Sequence, residues 1–401
     1  MKNTIFWISV LIGIAGLSAA QDDLHVKKTA AAKTSLDLSA FSASAGTPAM
    51  FRRTLESDLD RCGWFLLTRP ATFAVSGSCE QTGDTLSVRC QVFDAVKSVS
   101  CMNKTYSERA AEVRRLAHKV ADDIVQATKG FKGIASGRIL MVGNRTGHKE
   151  LYVCDSDGGN LRQLTSDNSI SIAPYWSANG ALVAYTSFKR GFPDIYLIDM
   201  KTGNRTCIAN YPGTNLAGGI SPDGREALMV LSKDGNPDVY VKDLASGRLT
   251  RLTNTPRAGE ASPVWSPDGS QIAYVSDLEG AGHPQIYVMG RGGAGRLITS
   301  RGRENVSPDW GANGWIAFCS KRQGVYGIYM INPGTMEERQ VSPSENVNYE
   351  DPAWASDGRH VVCTRGDGRR SSIYLLDTMG DPPLCLTPDG GNWYSPAWSA
   401  Q

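Results

Sequence analysis

The chain has 401 residues, of which 41% are apolar and 20% charged, and carries a formal net charge of +2. This length exceeds what one hydrophobic core ordinarily organises, so two domains are expected. The near-neutral balance excludes a bulk electrostatic drive toward nucleic acid or an anionic membrane surface.

In chain order, Met1–Ala20 reads as a secretory signal. Lys2 supplies the positive region, Ile5 to Leu17 the apolar run, and Ser18-Ala19-Ala20 a small-residue cleavage site. The apolar run is too short to span a bilayer, and polar Gln21-Asp22-Asp23 follows it. The residue after the cut is not cysteine, so no lipid anchor is expected there. No later stretch reads as a membrane span, and the mature protein is expected to be exported and soluble.

Residues 21–34 are polar, rich in Lys and Ala, and expected to be flexible. Residues 35–132 read as a small α/β domain. Ser35–Phe41 alternates like a strand; Thr47 and Pro48 suggest an N-cap and a first helical residue. Phe51, Leu55, Leu59 and Cys62 share one helical face, and Gly63 stops that helix. Phe65–Thr68, Phe73–Cys79, Leu86–Phe93 and Ser98–Tyr106 read as strands. A long amphipathic helix is expected from about Ser107 to Thr128, with Val113, Leu116, Val120 and Ile124 inward and Gly130 ending it.

Residues 133–401 carry a repeat. Pro174-Tyr175-Trp176-Ser177, Gly218-Gly219-Ile220-Ser221, Pro263-Val264-Trp265-Ser266, Pro308-Asp309-Trp310-Gly311, Pro352-Ala353-Trp354-Ala355 and Pro396-Ala397-Trp398-Ser399 follow one another at steps of 44 or 45 residues. Each contains a tight turn of the Ser-Pro-Asp-Gly type and four short strand patterns, with no helical periodicity between them. Such an array is the signature of a β-propeller. The stretch 138–165 supplies strands two to four of a unit, and Pro396–Gln401 supplies a first strand with nothing after it. Together they complete one blade. The expected fold is therefore an all-β six-bladed β-propeller, closed by its C-terminal strand, beside a smaller N-terminal α/β domain.

Export makes the nine cysteines readable as possible disulfides. A turn at Asp94–Lys97 sets Cys90 opposite Cys101, so a cross-strand bridge is a candidate there, with Cys62 and Cys79 as a second pair. The cysteines on blade strands read as buried thiols. The residues offer little chemistry. There is no nucleophile elbow, and His25, His118, His148, His283 and His360 lie singly, without metal-ligand spacing. Asp155-Ser156-Asp157-Gly158-Gly159-Asn160 has part of a calcium loop but lacks its glutamate. No catalytic residue, metal or cofactor is expected.

The exported α/β domain, the six Trp-Ser-type repeats and the ending Pro396-Ala397-Trp398-Ser399 together resemble the TolB family, periplasmic members of the Tol–Pal envelope system. The resemblance covers nearly the whole mature chain. It implies a non-enzymatic protein that binds the peptidoglycan-associated lipoprotein Pal through one propeller face. It also implies a link, through the N-terminal segment and domain, to the inner-membrane protein TolA, in support of outer-membrane integrity and envelope constriction during division. The segment Gln21–Thr34 departs from that pattern in lacking an apolar strand-adding character. Two other classes remain open to a secreted propeller: a metal-dependent hydrolase or lactonase, and a glycan-binding module.

The docking surface is expected where the segments preceding each first strand gather round the channel. Thr214, Asn215, Glu260, Asn305, Asn348, Tyr349, Glu350, Trp393 and Tyr394 are the candidate partner-binding residues. Phe192, Tyr326 and Arg257 lie on flanking loops and are residue types that interface cores favour. The repeated tryptophans are expected to fill the core.

Overall fold

The computed structural model describes residues 33–280 and 282–399. The secretory signal expected at Met1–Ala20 and nearly all of the segment 21–34 lie outside the described residues, as do the last two residues. Among the described residues, no helix is long and apolar enough to cross a membrane.

The N-terminal domain comprises β1 (Thr34–Ala43), α1 (Thr47–Arg61), β2 (Phe65–Leu67), β3 (Phe73–Thr82), β4 (Thr85–Asp94), β5 (Val99–Arg109) and α2 (Val113–Lys129). The sheet order is β2-β1-β3-β4-β5, with β1 parallel to both its neighbours. On β4 strict alternation buries Leu86, Val88, Cys90 and Val92 on one face. Both helices cover that face with Phe51, Leu55 and Leu59 of α1 and Leu116, Val120 and Ile124 of α2. Each such side chain contributes roughly 1.5–3 kcal/mol of burial.

Three local expectations are corrected. Gly46, at φ 83°, is the N-cap of α1, and Thr47 is already helical and makes no capping bond. Helix α2 starts six residues later than its periodicity suggested. β5 stays paired with β4 as far as Thr85↔Arg109, and a 3-10 turn at Ala110–Glu112 intervenes. Cys90 faces Lys104 instead of Cys101. The hairpin closes at Asp94↔Val99, so its loop is two residues longer than assumed, and a bulge between Val92 and Phe93 absorbs Cys101. Cys62, Cys79, Cys90 and Cys101 are all free thiols.

The remainder forms six four-stranded antiparallel sheets in a ring. Blades 1 to 5 span residues 171–209, 215–251, 260–297, 304–340 and 348–385. Blade 6 is built from both ends of the ring. Its innermost strand, Trp393–Trp398, pairs with Arg138–Gly143, through Trp393↔Gly143 and Trp398↔Ile139. Trp393 is fully buried and meets Tyr152 edge-on at 5.1 Å, and a Cβ on Gly143 would overlap its ring.

The repeat residues have distinct tasks. The Trp176 indole N–H donates to the Ala397 carbonyl and that of Trp265 to Gly219, each at 3.2 Å, tying a blade to the preceding one. In the four turns that carry it, the repeat serine accepts the amide that opens the second strand, as Ser221 Oγ does from Glu226 N–H at 2.9 Å. The outermost strands are only two to five residues long, and a Leu-Thr or Ile-Thr pair follows several of them. There the Thr165, Thr253, Thr299 and Thr387 hydroxyls accept third-strand amides at 2.8–3.0 Å, in place of continued strand pairing.

The two domains meet at blades 5 and 6, on the face that carries the turns after the first and third strands. Asp122 of α2 accepts the amides of Ala135 and Ser136 at 2.8 Å each. Arg359 of blade 5 stacks on Trp64 at 4.5 Å and pairs with Asp377 at 2.5 Å, and Lys33 pairs with Asp381 at 2.7 Å. Gly63, at φ 70°, passes so close that an added Cβ would lie 2.5 Å from the Arg359 guanidinium.

Deleting residues 393–401 is expected to abolish the cooperative melting transition of the ring, because blade 6 then exposes the edge of Arg138–Gly143 and loses its Trp393 packing. Differential scanning calorimetry checks this. A truncated chain that melts like the intact one would remove closure as the organising contact.

Candidate docking face

Five of the six innermost strands carry a conformation that the sequence reading missed. Ala173, Ser262, Ser307, Asp351 and Ser395 all have φ between 46° and 51°, and each precedes the repeat proline. The antiparallel register shifts at this point in every blade, as between Ala184 and Thr186 in blade 1. These are β-bulges: the proline interrupts the ladder, the left-handed residue before it absorbs the bend, and pairing resumes beyond. The residues taken as loops are therefore mostly the first residues of the innermost strands.

That changes what the candidates can touch. Asn215, Glu260, Asn305, Tyr349 and Trp393 are buried. Asn215 clasps the preceding loop, donating to the Tyr211 carbonyl at 2.7 Å and accepting the Tyr211 amide at 2.9 Å. Asn305 donates to Gln285 Oε1 at 2.6 Å and to the Arg301 carbonyl at 2.8 Å. Glu260 accepts from the Thr255 hydroxyl at 2.6 Å and the Ser276 hydroxyl at 3.1 Å; burial and facing Asp238 push its carboxyl up. The Tyr349 hydroxyl lies 3.0 Å from Arg365 Nε, and the Trp393 indole donates to Asp389 at 3.0 Å. These five hold the rim from beneath. Thr214, Asn348, Glu350 and Tyr394 are only half-buried, and Lys149 lies over the Tyr394 ring at 5.3 Å.

The channel mouth is a cavity of about 380 Å³ lined by Lys149, Tyr175, Asp309 and the bulge residues. Asp351 ties three blades together there, accepting from Ser307 Oγ at 2.9 Å and Ser395 Oγ at 2.8 Å. Asp309 accepts the Trp354 amide at 2.6 Å. Burial pushes its carboxyl up to about 6, although the amides of Trp354 and Trp310 pull the other way. Around this mouth the loops between second and third strands raise apolar side chains: Phe192 is 74% exposed and Leu278 54%. Phe192, Arg190, Tyr211 and Pro212 frame a notch between blades 1 and 2. The sequence marks Phe192 on its flanking loop by residue type, and Leu278 carries no such mark because these loops differ in sequence from blade to blade.

Of the five histidines, the described ones fall outside this mouth. His118 and His360 are buried against Asp58 and Asp357, at 2.6 and 2.7 Å, while His148 and His283 are exposed.

The Asp309 shift has a definite sign. Its folded-state affinity for a proton exceeds the unfolded one, so the stability this provides is full below pH 3.8 and is lost as pH rises through about 6. Asp309→Asn keeps the acceptor for the Trp354 amide and removes the charge. It should stabilise the ring at pH 7–8 by about 1–2 kcal/mol, allowing for solvent in the channel. Urea unfolding at pH 4 and pH 7.5 reads this; equal stabilisation at both would contradict it.

The family model described as the TolB beta propeller domain matches residues 125–401. A TolB homolog from Chlorobium chlorochromatii is 29% identical over 203 residues, covering 44% of this chain and 46% of that protein. The Tol-Pal system protein TolB of Syntrophotalea carbinolica is 36% identical over 145 residues, covering 36% of this chain and 32% of its own length. The matched stretch thus spans less than half the length of these curated relatives. The crystal structure of TolB from Acinetobacter baumannii superimposes with a TM-score of 0.80 at 26% identity, covering 92% of this chain and 96% of that one. The six-bladed ring closed by its last strand, the α/β domain at blades 5 and 6 and these matches agree: the chain belongs to the TolB β-propeller family.

Proposed function

We propose that this chain is a periplasmic, non-enzymatic adaptor of the Tol–Pal system. In this reading it binds the peptidoglycan-associated lipoprotein Pal on the open face of its propeller and communicates with a TolA-like inner-membrane protein through its N-terminal domain. The role served is outer-membrane integrity and constriction during division. The observation that carries the reading is the placement of the two domains. The α/β domain occupies one face at blades 5 and 6. The opposite face, with the channel mouth and the exposed Phe192 and Leu278, is left open. Exposed apolar side chains rimmed by polar ones are what a protein interface requires.

Within that face, Thr214, Asn348, Glu350 and Tyr394 are assigned to partner contact, with Phe192 and Leu278 as apolar anchors. Asn215, Glu260, Asn305, Tyr349 and Trp393 are assigned to support of the rim. The glycan-binding alternative loses its best stacking platform, since Trp393 is buried. The metallohydrolase alternative calls for inward carboxylates and histidines, and among the described residues the channel mouth offers Asp309 and Asp351 without a histidine.

Isothermal titration of the full chain with purified Pal tests this. Glu350→Arg and Phe192→Ala should each weaken binding about tenfold, on the order of 1–2 kcal/mol, with unchanged melting. Trp393→Ala should instead cost about 3–5 kcal/mol of ring stability, as expected of a fully buried tryptophan. Wild-type affinity in both folded surface variants would move the docking site elsewhere.

A further inference from the structure

The domain interface contains a buried histidine that neither the propeller repeat nor the docking face uses. His118 of α2 is 3% exposed and sits where α1, α2 and the turn after blade-6 residue Asp155 converge. Its Nδ1 lies 2.6 Å from Asp58 Oδ2 on α1, and its Nε2 lies 3.5 Å from Asp155 Oδ2 of the propeller. Both carboxylates are fixed in place. Arg61 of α1 donates to Asp58 at 2.6 Å. Asn160 and Arg114 donate to Asp155 at 2.7 and 3.3 Å, and Arg114 reaches on to Asp157 at 2.5 Å. Asp122 of α2 completes the set, with its carboxylate on the Ala135 and Ser136 amides.

Four carboxyl groups thus face two guanidiniums around one imidazole. A neutral ring that donates Nδ1–H to Asp58 would turn the Nε2 lone pair toward the Asp155 oxygen, two acceptors in apposition. A second ring proton converts that contact into an attraction. A metal ion could also fill such a gap, since nitrogen and carboxylate atoms of His118, Asp155 and Asp157 lie within 4.8 Å of one another. The Arg114 guanidinium already lies against both carboxylates, however, and a metal would have to expel it.

We propose that His118 is a proton-operated latch between the two domains. Its imidazolium, held between Asp58 of the N-terminal domain and Asp155 of the propeller, fastens them together, and loss of the ring proton loosens that fastening.

The electrostatics agree with the geometry. Burial alone would lower the His118 pKa, but the hydrogen bonds and charges of Asp155 and Asp58 outweigh it and hold it above the ordinary 6.5. Burial would likewise raise Asp155, and His118 and Arg114 more than reverse this, so Asp155 remains ionised. A raised histidine pKa contributes stability that is full below 6.5 and is lost as pH rises through the folded-state value. The stacking of Arg359 on Trp64 and the Lys33–Asp381 pair on the blade-5 side do not depend on His118. Deprotonation therefore loosens the α2 side while the α1 side stays attached.

Ring-labelled histidine NMR and amide exchange on the full chain, from about pH 5 to about pH 9, test the latch. His118 should titrate above 6.5. Protection of α2, corrected for intrinsic exchange, should fall by roughly threefold or more across that titration. Asp155→Asn should lower the ring pKa, and His118→Gln should leave α2 protection flat with pH. A ring that titrates at or below 6.5 would overturn the proposal, as would α2 protection that is indifferent to its titration. Added zinc that raises α2 protection in wild type but not in His118→Gln would replace the proton by a metal. If His118→Gln does not fold, the wild-type and Asp155→Asn titrations decide alone.

Discussion

The pairing of the last described strand with the segment that follows the N-terminal domain is the contact on which the ring depends. Each blade contributes one sheet whose faces are covered by its neighbours, so an open array would leave two uncovered faces and an unpaired edge. Trp393↔Gly143 and Trp398↔Ile139 remove both liabilities at once. The paired residues lie 250 to 259 positions apart in the sequence, and the loop-closure entropy that the contact demands is recovered only when all six sheets are in place. The glycine at 143 is part of this closure because the Trp393 ring occupies the space a side chain would need.

Within the closed ring, the repeated proline sets the character of the channel. A proline on an innermost strand removes a ladder donor, which a central strand ordinarily does not tolerate. Here the residue before it adopts a left-handed conformation, and the resulting bulge brings small polar side chains to the channel mouth. Blade 2 meets the same need with Gly218 and Gly219, and both lie against blade 3. The bulge also explains why the rim is firm. Asn215, Glu260 and Asn305 lie just before it and are turned inward, where they bind the preceding blade or the loop arriving from it by side-chain hydrogen bonds. In the proposed docking role, a face built on such loops loses little conformational entropy on association.

The α/β domain adds asymmetry to a nearly symmetric ring. It meets blades 5 and 6 through ion pairs, a guanidinium–indole stack and amide–carboxylate bonds. Interfaces of that kind allow relative motion of domains. The attachment therefore lies on one face and the open rim on the other, separated by the thickness of the propeller.

The sequence alone determined the ring. The 44–45-residue period, the turns of Ser-Pro-Asp-Gly type and the split sixth unit follow from backbone chemistry and hydrophobic repetition, which are local and recur six times. The faces of α1 and α2 were legible for the same reason. Residues whose placement depends on what lies across a gap were not. The Cys90–Cys101 register failed on a two-residue difference in loop length and one bulge. Five of the nine candidate docking residues are buried, because Pro was read as the start of a strand when it marks a kink within one. His118, a lone histidine on an amphipathic helix, acquired its neighbours from α1 and from a turn nearly forty residues downstream. Periodicity fixes which face a residue occupies; only the packed structure decides which charges meet it there.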